Sequence, residues 1–237
     1  MASRSPNAMT RSVPIAAASV KIDGIRTVEH ALVAVEAGAE LIGMIFAAAR
    51  RQVIVDTARL ISDAIRAASP EVRVVGVFVD APAEAINEVA RSAGLDLIQL
   101  HGDEPPEVLA GLDLRVIKAF RALPDEGAGA LTDRIRPYLN AVVPPVAVLI
   151  DGYHPEEHGG TGIRADWDIV REVSDRLGLA IGLAGGLTPD NVEAAIGQVR
   201  PAFVDVSSGV ERDGIKDEAL IRSFVQQADR AFRPGIR

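Results

Sequence analysis

The chain has 237 residues, with 25 Lys+Arg against 33 Asp+Glu and a formal net charge of −8. That sign argues against nucleic acid or an anionic membrane as partner. The absence of Cys excludes disulfides, thiolate metal sites and a Cys nucleophile.

Hydrophobic residues make up 48% of the chain but aromatics only 4%. The core must therefore be Ala, Val, Ile and Leu, as in parallel sheets buried on both faces. No apolar run approaches the roughly 20 residues that span a bilayer. In chain order, residues 1–19 read as an arm ahead of a single domain over residues 20–237. Arg4 and Arg11 precede an apolar patch, Val13–Ala18, but Pro14 breaks it and it is too short for a secretory leader.

Short β-branched runs then alternate with amphipathic stretches. The runs are Val20–Ile22, Leu41–Phe46, Val72–Val79, Leu97–Leu100, Arg115–Ala119, Val146–Ile150, Ala180–Ala184 and Phe203–Val206. Their mean spacing is about 26 residues, the length of one strand-plus-helix unit. Between them, helices are expected over Thr27–Ala37, Asp56–Ala67, Pro82–Ala93, Leu131–Tyr138, Trp167–Leu177, Pro189–Ile196 and Asp217–Phe232, with a further one after Leu100. Gly38, Gly94 and Gly178 stand where helices stop, and Thr188 stands as an N-cap. Eight strands and eight helices fit a (β/α)8 barrel. A doubly wound sheet would want a glycine fingerprint after the first strand, where Asp23-Gly24-Ile25-Arg26 stands instead.

A barrel builds its site at the C-terminal ends of its strands. Gly185 and Gly186 follow the seventh run, and Ser207, Ser208 and Gly209 follow the eighth. Glycines let N–H groups approach an anion closely, and these two turns are a recurring barrel phosphate site. Gly159–Gly162, with Gly160 inside it, could close over the same ligand. Asp23 and Asp151, each ending a strand, are either turn caps or an acid/base pair; beside a phosphate site the pair is favoured. Arg50 and Arg51, beyond the second strand, are either solvated surface residues or a bidentate carboxylate clamp, the clamp favoured for Arg51. Gln99 and His101 end the fourth strand, His101 as a hydrogen-bonding residue rather than a base. Lys21 and Lys118 lie within strands, where an inward lysine could meet ligand or pair with a carboxylate. His154 and His158 are four apart, but Pro155 makes their segment a loop and no third ligand is evident, so no metal is expected.

These strand ends resemble those of the phosphoribosylanthranilate isomerase family. The matching pieces are V-K-I-D-G-I-R-T from Val20, E-A-G-A-E-L-I-G from Glu36, R-R-Q-V from Arg50, G-V-F-V from Gly76, L-I-Q-L-H-G from Leu97, G-G-T-G from Gly159, L-A-G-G-L-T-P-D-N-V from Leu183 and D-V-S-S-G-V-E from Asp205, followed by G-I-K-D. The resemblance implies a TIM barrel and a cofactor-free Amadori rearrangement of N-(5-phosphoribosyl)anthranilate. It implies Asp151 as the general acid that opens the ribose ring and a base at the end of strand 1 that removes the C2′ proton. Arg51 would hold the anthranilate carboxylate, Asp205 would touch a sugar hydroxyl, and the last two turns would hold the phosphate.

The family usually places Cys where this chain has Asp23. A carboxylate is ionised at neutral pH but is a weaker base than a thiolate unless burial raises its pKa. The related histidine-pathway isomerase uses two Asp at equivalent strand ends, so a histidine-type or dual-substrate aminoaldose isomerase is an alternative, as is a non-catalytic phosphosugar-binding barrel. Ala47-Ala48-Ala49 also stand where the family often has Pro and Ser. The expected enzyme is cytoplasmic, a monomer or homodimer, with a small phosphosugar as its partner.

Overall fold

The structure, a computed structural model, describes residues 18–123, 125–152 and 167–233. Eight strands close into a barrel in sequence order: β1 (Ser19–Ile22), β2 (Leu41–Ile45), β3 (Arg73–Phe78), β4 (Leu97–Leu100), β5 (Val116–Arg121), β6 (Ala147–Asp151), β7 (Gly182–Ala184) and β8 (Phe203–Val206). Every pair is parallel, and β1 closes on β8 with Lys21 opposite Asp205. Each expected run thus becomes a strand, within one to two residues at its ends. Ser19, placed by the sequence in the arm, is instead the first residue of β1.

Alternation along the strands separates two cores. One set, including Val20, Ile22, Ile42, Val74, Ile98, Val148, Leu183 and Val204, packs under the helices. The other points into the barrel: Leu41, Val75, Leu97, Ile117, Ala119, Leu149, Ala184 and Phe203. In a chain so poor in aromatics, Phe203 fills the barrel floor. A Cβ on Gly182 would overlap its ring, so the glycine on β7 makes the room. Two-residue steps up each strand from this floor lead to Lys21, Asp23, Gln99, His101, Asp151, Asp205 and Ser207. The period of two therefore puts the polar residues at the mouth.

The helices are α1 (Val28–Ala37), α2 (Val55–Ala68), α3 (Ala83–Ala93), α4 (Ala128–Leu139), α5 (Trp167–Leu177), α6 (Val192–Val199) and α7 (Glu218–Phe232). Thr27 caps α1 through His30 N, and Gly38 ends it at φ +104°. Asp217 caps α7 through Leu220 N, and α7 packs between α6 and α1 to close the outer ring.

Two expectations are corrected. The fourth helix is only a 3-10 turn, Pro106–Gly111: Pro105, Pro106 and Gly111 crowd a short connection, and Leu109 alone is buried. α6 starts after Asn191, not Thr188. Asn191 Oδ1 accepts from Thr188 N at 2.8 Å and its Nδ2 donates to Gly186 O at 2.9 Å, so its side chain braces the turn after β7.

Beyond β8 a 3-10 turn (Ser208–Val210) leads into a small antiparallel hairpin, β9 (Glu211–Arg212) and β10 (Ile215–Lys216). Asp213 and Gly214 turn it, both with positive φ, at +51° and +75°. Among the described residues no helix is long and apolar enough to cross a membrane. A cleft of about 940 Å³ between α1 and α7 lies at the N-terminal end of the barrel, lined by Val20, Glu40 and Arg222 among others; it contains none of the mouth residues.

Candidate active site

The turn after β1 starts the site. Asp23 N donates to Val206 O at 2.8 Å, which extends the β1–β8 pairing into the mouth. Asp23 Oδ1 accepts from Gly24 N at 2.9 Å, and its Oδ2 lies 3.3 Å from Lys21 Nζ. The same ammonium donates to Asp205 Oδ2 at 2.9 Å. Lys21 is fully buried, and Asp23 and Asp205 are 7% and 5% exposed. A Cβ on Gly43 would overlap the Asp23 carboxylate and lie 3.0 Å from Lys21 Nζ, so β2 leaves this volume for the cluster.

Two buried carboxylates thus share one ammonium, and their surroundings push them apart. Burial alone would raise Asp23, but Lys21, the Gly24 N–H and the more distant Lys216 together hold it below its ordinary value. Burial, with the neighbouring Asp23 charge, pushes Asp205 up to about 6 against the pull of Lys21. The direction follows from hydrogen bonding: both Asp23 oxygens face donors, whereas Asp205 Oδ1 has no partner. Burial pulls Lys21 down, yet Asp205 and Asp23 leave it above its ordinary value, so it stays charged.

On the other side of the mouth, Asp151 ends β6. Its Oδ2 faces His101 Nε2 at 3.3 Å, and His101 Nδ1 faces Gln99 Nε2 at 3.0 Å. With the Gln99 amide donating to Nδ1, a neutral ring carries its proton on Nε2, toward Asp151. His101 also lies within electrostatic reach of Asp205, which joins the two halves of the mouth.

The glycine turns meet at the third side. Gly185 and Gly186 have φ of +95° and +64°, conformations that L side chains resist. A Cβ on Gly209 would overlap Leu187 O, so the turns after β7 and β8 touch backbone to backbone. Ser207 Oγ packs against Gly24, where a Cβ would lie 3.0 Å from it. Gln99 Oε1, Asp205 Oδ1 and Ser207 Oγ are buried without hydrogen-bond partners. Buried polar atoms are rarely left so, and three at one barrel mouth suit a ligand rich in hydroxyl and phosphate oxygens.

Arg51 overhangs this mouth from the loop after β2. Its Nε and Nη2 donate to Glu211 Oε1 and Oε2, each at 2.7 Å. Glu211, missed in the sequence reading, also accepts from Lys216 Nζ at 2.8 Å. Burial would raise the Glu211 carboxyl, but these donors hold it at about 2. The sequence signal for it was the Asp213-Gly214 pair flanked by β9 and β10.

Lys118 points away from the mouth. Its Nζ is 3.1 Å from Glu104 and 2.7 Å from Gly102 O, beside Phe120 and Tyr138. It is a buried structural cation, not a ligand contact; its strand neighbours Ile117 and Ala119 face inward instead. Gly160, the rest of Gly159–Gly162, His154 and His158 lie outside the described residues.

A closed (β/α)8 barrel with paired carboxylates and touching glycine turns at its mouth defines the class: an acid/base barrel enzyme acting on a phosphorylated sugar-like ligand. The family model for N-(5′-phosphoribosyl)anthranilate isomerase matches residues 20–227. The enzyme of that name from Roseiflexus castenholzii is 44% identical over 219 residues, covering 90% of this chain and 99% of its own. That of Geobacter sulfurreducens is 46% identical over 211 residues, covering 88% and 97%. The crystal structure of phosphoribosyl anthranilate isomerase from Thermotoga maritima superposes with a TM-score of 0.77 at 37% identity, covering 89% of this chain and 98% of that one. A phosphoribosyl anthranilate isomerase in complex with reduced 1-(o-carboxyphenylamino)-1-deoxyribulose 5-phosphate superposes with a TM-score of 0.74 at 35% identity, covering 89% and 97%. The chain belongs to the N-(5′-phosphoribosyl)anthranilate isomerase family.

Proposed function

We propose that this chain converts N-(5-phosphoribosyl)anthranilate to 1-(2-carboxyphenylamino)-1-deoxyribulose 5-phosphate in tryptophan biosynthesis, in the cytoplasm and without a cofactor. The observation that carries the reading is the geometry of the mouth: Asp23 fixed by Lys21 and Gly24, Asp151 paired with His101, and Asp205 share the end of the barrel with the touching glycine turns after β7 and β8.

In this reading Asp151 is the general acid that delivers a proton to the ribose ring oxygen. The C1′–O bond breaks and the anilino nitrogen lone pair forms the C1′=N bond. Asp23 then takes the C2′ proton, and the C2′–H electrons form C1′=C2′ as the iminium nitrogen regains its lone pair. The enolamine tautomerises to the ketone. His101, at 3.3 Å from Asp151, orients the acid. Asp23 is ionised at neutral pH but, held below its ordinary value, is an intrinsically weak base. Its contribution comes from placement, fixed by Lys21 and Gly24, rather than from basicity.

Gly185, Gly186, Ser207, Ser208 and Gly209 bind the phosphate, Asp205 Oδ1 and Gln99 Oε1 take sugar hydroxyls, and Arg51 takes the anthranilate carboxylate. Among the described residues all these groups come from one chain, which suits a monomer or a homodimer alike.

A histidine-type substrate would need a second anion site beyond His101. The cavity there, about 340 Å³, sets Asp80 and Asp103 against three cations, Lys118, Arg121 and Arg134, of which Lys118 and Arg134 are paired with Glu104 and Glu126. That charge pattern favours the one-phosphate substrate. Expression in a tryptophan auxotroph lacking this isomerase tests the reading: growth without tryptophan is expected, and failure to grow with the folded protein present overturns it.

A further inference from the structure

We infer that Glu211 and Lys216, facing each other across the β9–β10 hairpin, are positioning residues that hold the carboxylate clamp and the phosphate turn at a set separation. The inference rests on the roles proposed above for Arg51 and Ser207.

Lys216 Nζ donates to Glu211 Oε1 at 2.8 Å and to Ser207 O at 2.8 Å. Glu211 Oε1 also accepts from Arg51 Nε. One lysine and one glutamate therefore join the guanidinium that would meet the substrate's carboxylate to the backbone of the turn that would meet its phosphate. Both side chains are about 95% buried, at 4% and 5% exposure. Burying an ammonium is costly unless its geometry and partners are good. A hairpin that only led the chain from β8 into α7 would have no use for one.

The charge count fits the same task. Two cations surround one carboxylate, so the group stays net positive beside a ligand that is anionic at both ends. The separation is also backed from below: a Cβ on Gly24 would lie 2.8 Å from Arg51 Cδ and 3.0 Å from Ser207 Oγ, so both residues rest on the same glycine. From outside, Arg26 donates to Gly214 O at 3.4 Å and to Arg50 O at 3.3 Å, which lays the hairpin turn against the loop that carries Arg51.

The test measures kcat and KM for N-(5-phosphoribosyl)anthranilate, and calorimetric binding of inorganic phosphate and of 2-aminobenzoate separately, in the full chain and its variants. Lys216→Met is expected to raise KM and weaken both single-ion probes roughly 10- to 100-fold, the range for losing a charged hydrogen bond, with a smaller fall in kcat. Lys216→Arg should recover most of the loss. Glu211→Gln should weaken phosphate binding although the Glu211 side chain makes no hydrogen bond to the turn, which it meets only through its backbone N–H on Ser208 O. If Lys216→Met does not fold, Glu211→Gln and Lys216→Arg decide the matter. Unchanged KM and binding constants, or weakening of only one probe, overturn the inference. Should the unaltered chain fail to turn over the substrate, the reaction assignment falls, while the two ion-binding constants still decide the coupling.

Discussion

Asp205→Asn removes a buried negative charge while keeping the side chain's shape. The Asp205 carboxyl is pushed up to about 6 from an ordinary 3.8, chiefly by burial. Each pH unit of such a difference corresponds to about 1.4 kcal/mol, so keeping Asp205 ionised costs the fold roughly 3 kcal/mol. The folded chain binds this proton more tightly than the unfolded chain. The cost is therefore absent below about pH 3.8, grows between 3.8 and 6, and is complete above 6. The substituted amide is neutral throughout. The stability difference between variant and parent should then be near zero at about pH 4 and rise toward roughly 3 kcal/mol in favour of the variant at about pH 8. Urea unfolding followed by circular dichroism across that pH range measures it. Turnover should fall in the same variant, because an amide has one accepting oxygen and cannot serve both Lys21 and a sugar hydroxyl. A difference that stays flat across this range would refute the account of how Lys21, Asp23 and Asp205 share their charge.

Gly43→Ala tests the placement of Asp23 without touching it: the added Cβ overlaps the carboxylate, so kcat/KM should drop about 10²-fold in a protein with an unchanged far-ultraviolet spectrum. Arg51→Lys loses the planar fork that meets Glu211 through two nitrogens, so KM should rise roughly tenfold or more in steady-state kinetics. Phe203→Ala empties the barrel floor and should cost about 3–5 kcal/mol in urea unfolding.

The barrel was legible in the sequence because its strands are short β-branched runs at even spacing, a pattern few other folds share. The mouth was legible because its polar residues end those runs: Asp23, His101, Asp151 and Ser207 each follow an apolar stretch that fixes which way they point. Lys118 shows the limit. It sits in a strand like Lys21, but its neighbours Ile117 and Ala119 face the barrel interior, so it faces out toward Glu104 and Tyr138. Those partners are distant in sequence, and only the alternation could have separated the two lysines. The fourth helix and the start of α6 were misread where prolines and Asn191 compete with helical periodicity through local hydrogen bonds. The β9–β10 hairpin carried a readable turn, Asp213-Gly214, but two-residue strands give no periodicity to notice. For Asp23 the sequence leaves open whether burial raises its pKa. Its neighbours hold it low, because Lys21 and Lys216 meet it only in the folded barrel.

The most direct test of the acid/base division is single-turnover and steady-state kinetics on N-(5-phosphoribosyl)anthranilate for Asp23→Asn and Asp151→Asn. Each should retain substrate binding and lose roughly 10²- to 10⁴-fold in kcat. Near-parental kcat in either variant would contradict the role given to that carboxylate.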